Sequence, residues 1–219
     1  TDPRLINPLY GFSLTNYKMA VHAINASNFD EISLSMLKFG STQNAVYLKE
    51  RNRGEIAFNS YVKGKNSIKR IVDIYLKNTE LPTNSHAAAL TNLADWYLMF
   101  NKKSTAYENY RSAYTLLDEA DADSKDIDKL FGTPKSLPAF NLPVNQKNIN
   151  RTRYVVASLD VSKKGRAKNV EIVESNPPDD KKFLRKARKI VKGALYRPRL
   201  ENGKPVATNN FKIRYVFDK

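Results

Sequence analysis

The sequence predicts an α+β protein in which an all-α N-terminal region precedes a small β-β-α-β module. Three observations point to this fold. Over the first 130 residues apolar side chains recur at spacings of three and four, as on helices, and after residue 152 they alternate with polar ones, as on half-buried strands. Between the two patterns lie Gly132 and three prolines, which disfavour helix and sheet alike. We therefore expect a helical domain over 1–130, a Pro-rich linker over 131–151 and a second domain over 152–219.

The helical domain is expected to begin with several short helices. Their apolar residues fall at helical spacing, as Ile68, Val72 and Tyr75 do. The expected segments lie near 13–25, 28–39, 43–52, 55–63 and 67–77. Because paired helices need stacked neighbours to bury their apolar faces, a short helical solenoid would account for this region.

The clearest helical pair spans 85–120, where two apolar stripes flank a polar break at 101–104. The first stripe consists of Leu90, Leu93, Ala94 and Tyr97. The second consists of Ala106, Tyr110, Ala113 and Leu117. The pair resembles a tetratricopeptide repeat, because Leu93, Ala94, Tyr97, Ala106, Tyr110 and Ala113 fall on the repeat's pattern positions in one register. The sequence departs from the repeat at Leu90, where Trp is usual, and at Asp118, where Pro is common.

The second domain is expected to begin with a strand in which Val155, Ala157, Leu159 and Val161 alternate with other residues. A tight turn at 163–165 leads into a second strand at 167–174, which the prolines at 177 and 178 end. Asp179 or Asp180 can cap the helix that follows. The apolar stripe of that helix comprises Phe183, Leu184, Ala187, Ile190, Val191, Ala194 and Leu195. A turn at 202–205 then precedes the final strand at 207–217.

Positive charge is concentrated in the second domain. Residues 1–150 hold 18 Lys and Arg against 15 Asp and Glu, whereas residues 151–219 hold 19 against 7. Much of this charge forms a basic face on the predicted helix, made of Lys181, Lys182, Arg185, Lys186, Arg188, Lys189 and Lys192. Such a face suits an anionic partner such as nucleic acid, acidic lipid or peptidoglycan, or it is a solvated surface without a ligand. Nucleic acid is disfavoured because no aromatic residues or recognisable reading element accompany the charges.

No motif for catalysis, cofactor binding or metal binding is recognisable. The two histidines, His22 and His86, are expected on different helices as surface or capping residues. The acidic run at 118–128 invites comparison with a calcium loop but lacks the glycine at the sixth position and the closing Glu. There is no cysteine, so disulfides and thiol chemistry are excluded. We therefore expect no enzyme activity, no cofactor and no small-molecule substrate.

Three stretches of the second domain carry recognisable sequence features. The first strand and its glycine turn read VVASLDVSKKG from Val155, and the second strand reads AKNVEIVESNP from Ala167. The third stretch combines Tyr196-x-Pro198, a Gly-x-Pro-Val turn at 203–206 and the alternating final strand FKIRYVF. The same features occur in the same order in the C-terminal domain of the TonB family, so residues 152–219 resemble that domain.

The resemblance implies that the last strand receives the TonB box of an outer-membrane receptor as an added β-strand. An exposed sheet edge can do this because its N–H and C=O groups are unpaired. The matching residues are Phe211, Lys212, Ile213, Arg214, Tyr215, Val216 and Phe217. The sequence departs from the family ahead of the first strand, where a Tyr-Pro motif and a glycine are usual but residues 137–143 read LPAFNLP.

Two function classes follow. The first is a non-enzymatic periplasmic interaction protein, either a TonB-like energy transducer or an accessory to TonB-dependent outer-membrane transport. Its partners would be an outer-membrane TonB-dependent receptor or inner-membrane TonB-complex components, with peptidoglycan as a further candidate. The alternative is a basic cytoplasmic helical-repeat scaffold associated with nucleic acid.

The residues encoded ahead of Thr1 would distinguish these two classes. No apolar run in the sequence reaches the roughly 18–20 residues that cross a bilayer. An export or anchor segment, which the first class requires, is therefore expected outside this sequence.

Overall fold

A computed structural model describes residues 2–34, 42–120, 124–137 and 153–217 of the chain. The fold is α+β, as predicted, with helices in the N-terminal part and a small strand-rich region at the C-terminus. The chain forms two compact units, Thr1–Ala89 and Leu90–Lys219. This boundary differs from the expected division at 131–151. Whether 1–130 and 152–219 fold separately stays a prediction.

The first unit is built from two long helices and the start of a third. These are α1 (Ile6–Leu34), α2 (Thr42–Lys77) and α3 (Thr83–Met99), and a 3-10 turn at Pro3–Leu5 precedes α1. Helices α1 and α2 pack against each other. Apolar side chains of α2 form much of the described core of this unit, and Ile68, Ile71 and Ile74 are fully buried.

The prediction of five short helices in this region is wrong, since two long ones take their place. No proline lies between Pro8 and Pro82 to end a helix. Gly54 lies within α2 with open space around its Cα, so it weakens the helix without breaking it. Part of the expected segment at 28–39 lies outside the described residues.

The predicted helical pair at 85–120 is present as α3 and α4 (Lys103–Glu119), and Asn101 turns the chain between them with φ of 60°. The predicted stripe of α4 is buried throughout. On α3, Leu93 and Ala94 of the predicted stripe are buried, whereas Leu90 and Tyr97 are half-buried. Thr91, Trp96 and Leu98, which lie outside the predicted stripe, are buried as well. This arrangement is compatible with a tetratricopeptide-like pair.

The second unit continues with short helical turns, strands and one further helix. The helical parts are α5 (Ser124–Ile127), a π-helical turn (Asp128–Gly132) and α6 (Lys181–Gly193). The described strands are β1 (Lys135–Leu137), β2 (Arg153–Val161), β3 (Ala167–Asn176), β4 (Leu195–Arg197), β5 (Arg199–Glu201), β6 (Lys204–Val206) and β7 (Thr208–Phe217). The predicted β-β-α-β order corresponds to β2, β3, α6 and β7, with three short strands inserted.

The described start of the expected linker, up to residue 137, contains the end of the π-helical turn and strand β1. Phe131 is fully buried and packs against the rings of Tyr110 and Tyr114. Strand β1 follows immediately and pairs antiparallel with β4. Prolines exclude helix here but allow a short strand and a buried turn. The remainder of the expected linker, 138–151, lies outside the described residues.

The main sheet is antiparallel with strand order β3-β2-β7, and α6 covers one face. The inward residues of β2 are buried against Phe183, Ala187 and Val191 of α6. Helix α6 ends at Gly193, so Ala194 and Leu195 do not extend it as predicted, and Leu195 begins β4. Gly165 has φ of 70° and lies so close to β4 that an added Cβ would meet the Tyr196 carbonyl oxygen at 2.0 Å. The predicted glycine turn therefore requires glycine.

Candidate functional site

Strand β7 forms one edge of the main sheet, and all seven predicted receptor-strand residues lie on it. Its pairing with β2 runs without interruption from Phe211, opposite Leu159, to Phe217, opposite Arg153. Among the described strands only β2 pairs with β7. The outer N–H and C=O groups of residues 211–217 therefore have no ladder partner within the described part of the chain.

The opposite edge, β3, is less suited to pairing with another strand. Its register with β2 shifts twice, once beside Val156 and again between Ser158 and Asp160. Asn169 adopts a left-handed conformation with φ of 49°. Bulges and irregular backbone of this kind hinder edge-to-edge pairing. The regular edge of the sheet is β7.

The side chains of β7 alternate between two environments. Phe211, Ile213, Tyr215 and Phe217 are half-buried on the side of α6. The ring of Phe217 meets that of Phe183 edge-on at 5.3 Å. Lys212, Arg214 and Val216 are exposed. An added strand would thus have an apolar surface on one side and two cations on the other.

The exposed sheet face beside β7 carries an ordered cation. The Arg214 guanidinium lies 3.8 Å from the centre of the Tyr154 ring. The Tyr154 hydroxyl donates a hydrogen bond of 2.6 Å to Glu174 Oε1, and this bond raises the pKa of Tyr154. Arg214 is therefore held by a ring on the neighbouring strand, next to the free edge.

Behind β7, Tyr215 is joined to two short strands. Its hydroxyl forms hydrogen bonds with the Tyr196 hydroxyl of β4 and with Ser136 Oγ of β1, the latter at 3.1 Å. Burial, together with the bond to Tyr215, raises the pKa of Tyr196 far above its usual value. The Tyr215 ring is thus fixed from the inner side of the sheet.

The residue after Tyr196 belongs to a buried ion pair that sequence reasoning missed. Arg197 Nε donates to Asp95 Oδ1 at 2.9 Å, a second guanidinium nitrogen donates to Asp95 Oδ2, and both side chains are only 5% exposed. Arg197 Nη1 also donates to the Leu130 carbonyl at 3.1 Å, and the Tyr110 hydroxyl donates to Asp95 Oδ1 at 2.6 Å. This network joins α3, α4, the π-helical turn and β4.

The pKa values in this network follow from burial and charge. Burial raises the pKa of Tyr110 well above its usual value, and the Asp95 charge acts in the same direction. Burial alone would lower the pKa of Arg197, but Asp95 reverses this and raises it. The sequence feature that could have indicated this buried ion pair is the acidic residue Asp95, which lies between two apolar residues that are buried, Ala94 and Trp96.

The basic face of α6 is solvent-exposed at all seven positions. None of its cations has a carboxylate within ion-pair distance among the described residues. Asp180 is the N-cap, as predicted: it accepts from the Phe183 N–H at 2.9 Å and is ion-paired with Arg153. The backbone bond from Phe183 is the main cause that lowers the pKa of Asp180, with Arg153 assisting.

The remaining candidate ligands do not converge. His22 is exposed on α1, and His86 on α3 is half-buried, with its ring stacked on Tyr75 at 5.9 Å. Burial lowers the pKa of His86. Within the described residues, no three His, Cys, Asp or Glu side chains are grouped to hold a metal ion. Residues 121–123 of the acidic run lie outside the described part.

Comparison with known families identifies the C-terminal part. Residues 139–218 match the family model described as Gram-negative bacterial TonB protein C-terminal. These residues therefore form a domain of the TonB C-terminal family, and the resemblance drawn from residues 152–219 is confirmed. The match begins earlier, at 139, and so includes part of the expected linker. No curated protein matches the chain.

Domains of this family are non-catalytic protein-interaction domains of the Gram-negative periplasm, where they contact outer-membrane receptors and other proteins. The chain therefore carries a TonB-like domain of the kind used in envelope energy transduction. In the described part of the chain, no helix combines the length and apolar character needed to span a membrane.

Proposed function

We propose that this protein is a non-enzymatic periplasmic interaction protein of TonB-dependent transport, and that its β7 edge captures an extended segment of an outer-membrane receptor. It would act as the energy transducer or as an accessory that also contacts inner-membrane TonB-complex components. The helical pair α3–α4 would contribute a second protein-binding surface, in keeping with its tetratricopeptide-like pattern.

One observation carries the proposal. Residues 211–217 form a regular edge strand whose outer backbone groups have no ladder partner among the described residues, in a domain of the TonB C-terminal family. An extended peptide can complete such an edge with main-chain hydrogen bonds, which supply the affinity. The irregular β3 edge offers no comparable run.

The side chains of β7 indicate which peptides would fit. Side chains of an added strand alternate between the two sheet faces. Those on the outer face would lie beside Lys212 and Arg214, which favours acidic residues there. Those on the inner face would adjoin half-buried Ile213 and Phe217, which favours apolar residues.

The test is a titration of the full chain with TonB-box peptides from receptors of the same organism, followed by amide chemical shifts. We expect the shifts to cluster on 211–217. Peptides methylated at single backbone nitrogens provide the decisive comparison, because only every second N–H of an added strand points toward β7. Binding should be lost on methylation of one alternating set and kept on methylation of the other. Strand addition would be contradicted if methylation abolished binding at nitrogens of both alternating sets, or if the chemical-shift changes were confined to the helices.

Variants of the protein complete the test. Replacing Lys212 or Arg214 by Ala should weaken capture only in part, whereas proline at Ile213 or Tyr215 should abolish it if those residues donate to the peptide. The proline variants are informative only with a native far-UV circular dichroism spectrum. The residues encoded ahead of Thr1 test the location, because a periplasmic protein requires an export signal or an anchor.

A further inference from the structure

The basic face of α6 is an unusual surface even for a basic protein. Its seven cations are Lys181, Lys182, Arg185, Lys186, Arg188, Lys189 and Lys192, and all are exposed. Residues 181–193 contain no acidic residue. The preceding Asp180 is already engaged by the Phe183 N–H and by Arg153. Within the described residues the basic face is therefore not neutralised.

This charge is a cost to the helix that carries it. Each of the seven cations has another cation three or four residues away, and like charges at these spacings destabilise a helix. Lys181 and Lys182 also stand in the first turn, where the helix dipole favours acidic residues, whereas Lys192 stands in the last turn, where the dipole favours a cation. A face selected only for solubility would alternate acidic and basic residues, as exposed helices commonly do.

The fold itself does not need these cations. Helix α6 is held on the sheet by Phe183, Ala187 and Val191, whose side chains are buried in the core. The basic face points away from that core, toward solvent. A charge arrangement that opposes helix stability and serves no internal contact indicates an external anionic partner.

We propose that the basic face of α6 docks the protein on a bilayer surface rich in anionic phospholipid. The seven cations occupy about 18 Å of helix, at 1.5 Å per residue. Lipid headgroups diffuse laterally and can gather beneath such a dense array, whereas the carboxylates of a cross-linked polymer are fixed in position. Each cation near an anionic bilayer strengthens binding about fivefold.

The burial of the apolar stripe of α6 determines how this helix can bind a bilayer. Its apolar stripe is committed to the protein core, so the helix cannot insert it among acyl chains as a free amphipathic helix does. Ile190 is the exposed large apolar residue of the helix, at 42%. Docking is thus electrostatic and sensitive to salt. Because α6 has no exposed aromatic residue, it offers no stacking platform for single-stranded nucleic acid.

The experiment is co-sedimentation of the full chain with vesicles. One set contains equal parts of phosphatidylglycerol and phosphatidylcholine, and the other contains phosphatidylcholine alone. We expect binding to the first set only, at low salt, and release as salt is raised. The variant R185E/K189E/K192E should bind at least about a hundredfold more weakly, because three lost cations account for about fivefold each and the added carboxylates repel the bilayer as well. The matched control K63E/K69E/R70E reverses three exposed charges on α2 and should bind as the wild type does.

Thermal unfolding of the same variants separates docking from a structural role. The reversals on α6 turn five repulsive pairs into attractive ones and leave two pairs of like charge among the reversed residues. Because K192E also places an acidic residue in the last turn, where the helix dipole favours cations, the melting temperature of the variant should stay about the same. A clear fall in the melting temperature of the α6 variant would mean that these cations stabilise the fold, and it would overturn the proposal. The proposal would also be overturned if both triple variants lost vesicle binding equally, or if the α6 variant bound vesicles as the wild type does. Binding to peptidoglycan sacculi or nucleic acid in the absence of vesicle binding would overturn it as well.

Discussion

Arg197 is a buried cation whose guanidinium is satisfied by two different parts of the fold. Asp95 of α3 takes two of its hydrogen bonds and the Leu130 carbonyl takes a third. A buried ion pair contributes little net stability relative to an apolar pair, but removal of one partner leaves an uncompensated charge. We therefore expect the network to contribute more to the specificity of the contact between α3 and β4 than to the free energy of unfolding.

Replacement of one partner should be far more costly than replacement of both. We expect Arg197→Met and Asp95→Leu each to lower the free energy of unfolding by about 3–5 kcal/mol. The double variant should be more stable than either single variant, because no buried charge then remains. Urea unfolding of the four proteins completes the double-mutant cycle. Additive losses in the double variant would contradict the ion-pair account.

Asp180 gives the protein an acid-sensitive contribution at the start of α6. Its pKa is lowered in the folded state by the Phe183 N–H and by Arg153. The ionised form is therefore stabilised by folding. This contribution is complete above the unfolded-state pKa of the carboxyl group and is lost as pH falls through the lower folded-state value.

The variant Asp180→Asn keeps a side-chain oxygen that can cap the helix but removes the titration. Its melting temperature at neutral pH should be below that of the wild type, because the ion pair with Arg153 is gone. On acidification the two melting temperatures should converge. A difference that is constant over the acid range would mean that Asp180 titrates equally in the folded and unfolded states.

At the scale of elements, periodicity predicted those helices and strands that present one face to a core. Helix α4 and strand β2 are buried at their predicted positions, since each packs on one side. For helix α3 periodicity predicted only part of the buried surface, because a helix buried on more than one side has no single stripe. Its Asp95 was missed because the partner, Arg197, lies 102 residues away in sequence.

Other elements leave no local pattern to detect. Strands β1 and β4 have three residues each and exist because they pair with one another. The final strand was predictable in position from its alternation, but its place at the sheet edge came from the family resemblance and from the topology. The prolines at 134 and 138 suggested a linker, and only the burial of Phe131 reveals a packed turn there.

These contacts predict how fragments of the second unit behave. A fragment of residues 152–219 keeps the main sheet and α6 but loses Asp95, Leu130 and Phe131, so Arg197 would lack its described partners. A fragment of residues 83–219 keeps them all. We expect the longer fragment to unfold cooperatively and the shorter one to be markedly less stable in urea. Equal midpoints for the two would support the division at 131–151 over the boundary at 89/90.

At the scale of the whole molecule, the chain consists of two units that each bury apolar side chains of their own. The protein contains one tryptophan, Trp96, which is fully buried in the second unit. Its fluorescence therefore reports on the second unit, whereas far-UV circular dichroism reports on the helices of both. The two signals together can resolve whether the units unfold separately.

A matched pair of core substitutions tests this independence. Ile71 belongs to the first unit and Leu159 to the second, and both are at most 1% exposed. Replacement of either by Ala should cost about 2–5 kcal/mol in the unit that contains it. Leu159→Ala should shift the fluorescence transition to lower urea, whereas Ile71→Ala should leave it unchanged and shift only part of the dichroism transition. If Ile71→Ala moves the fluorescence midpoint as far as Leu159→Ala does, the chain unfolds as one cooperative body and the two units are not independent.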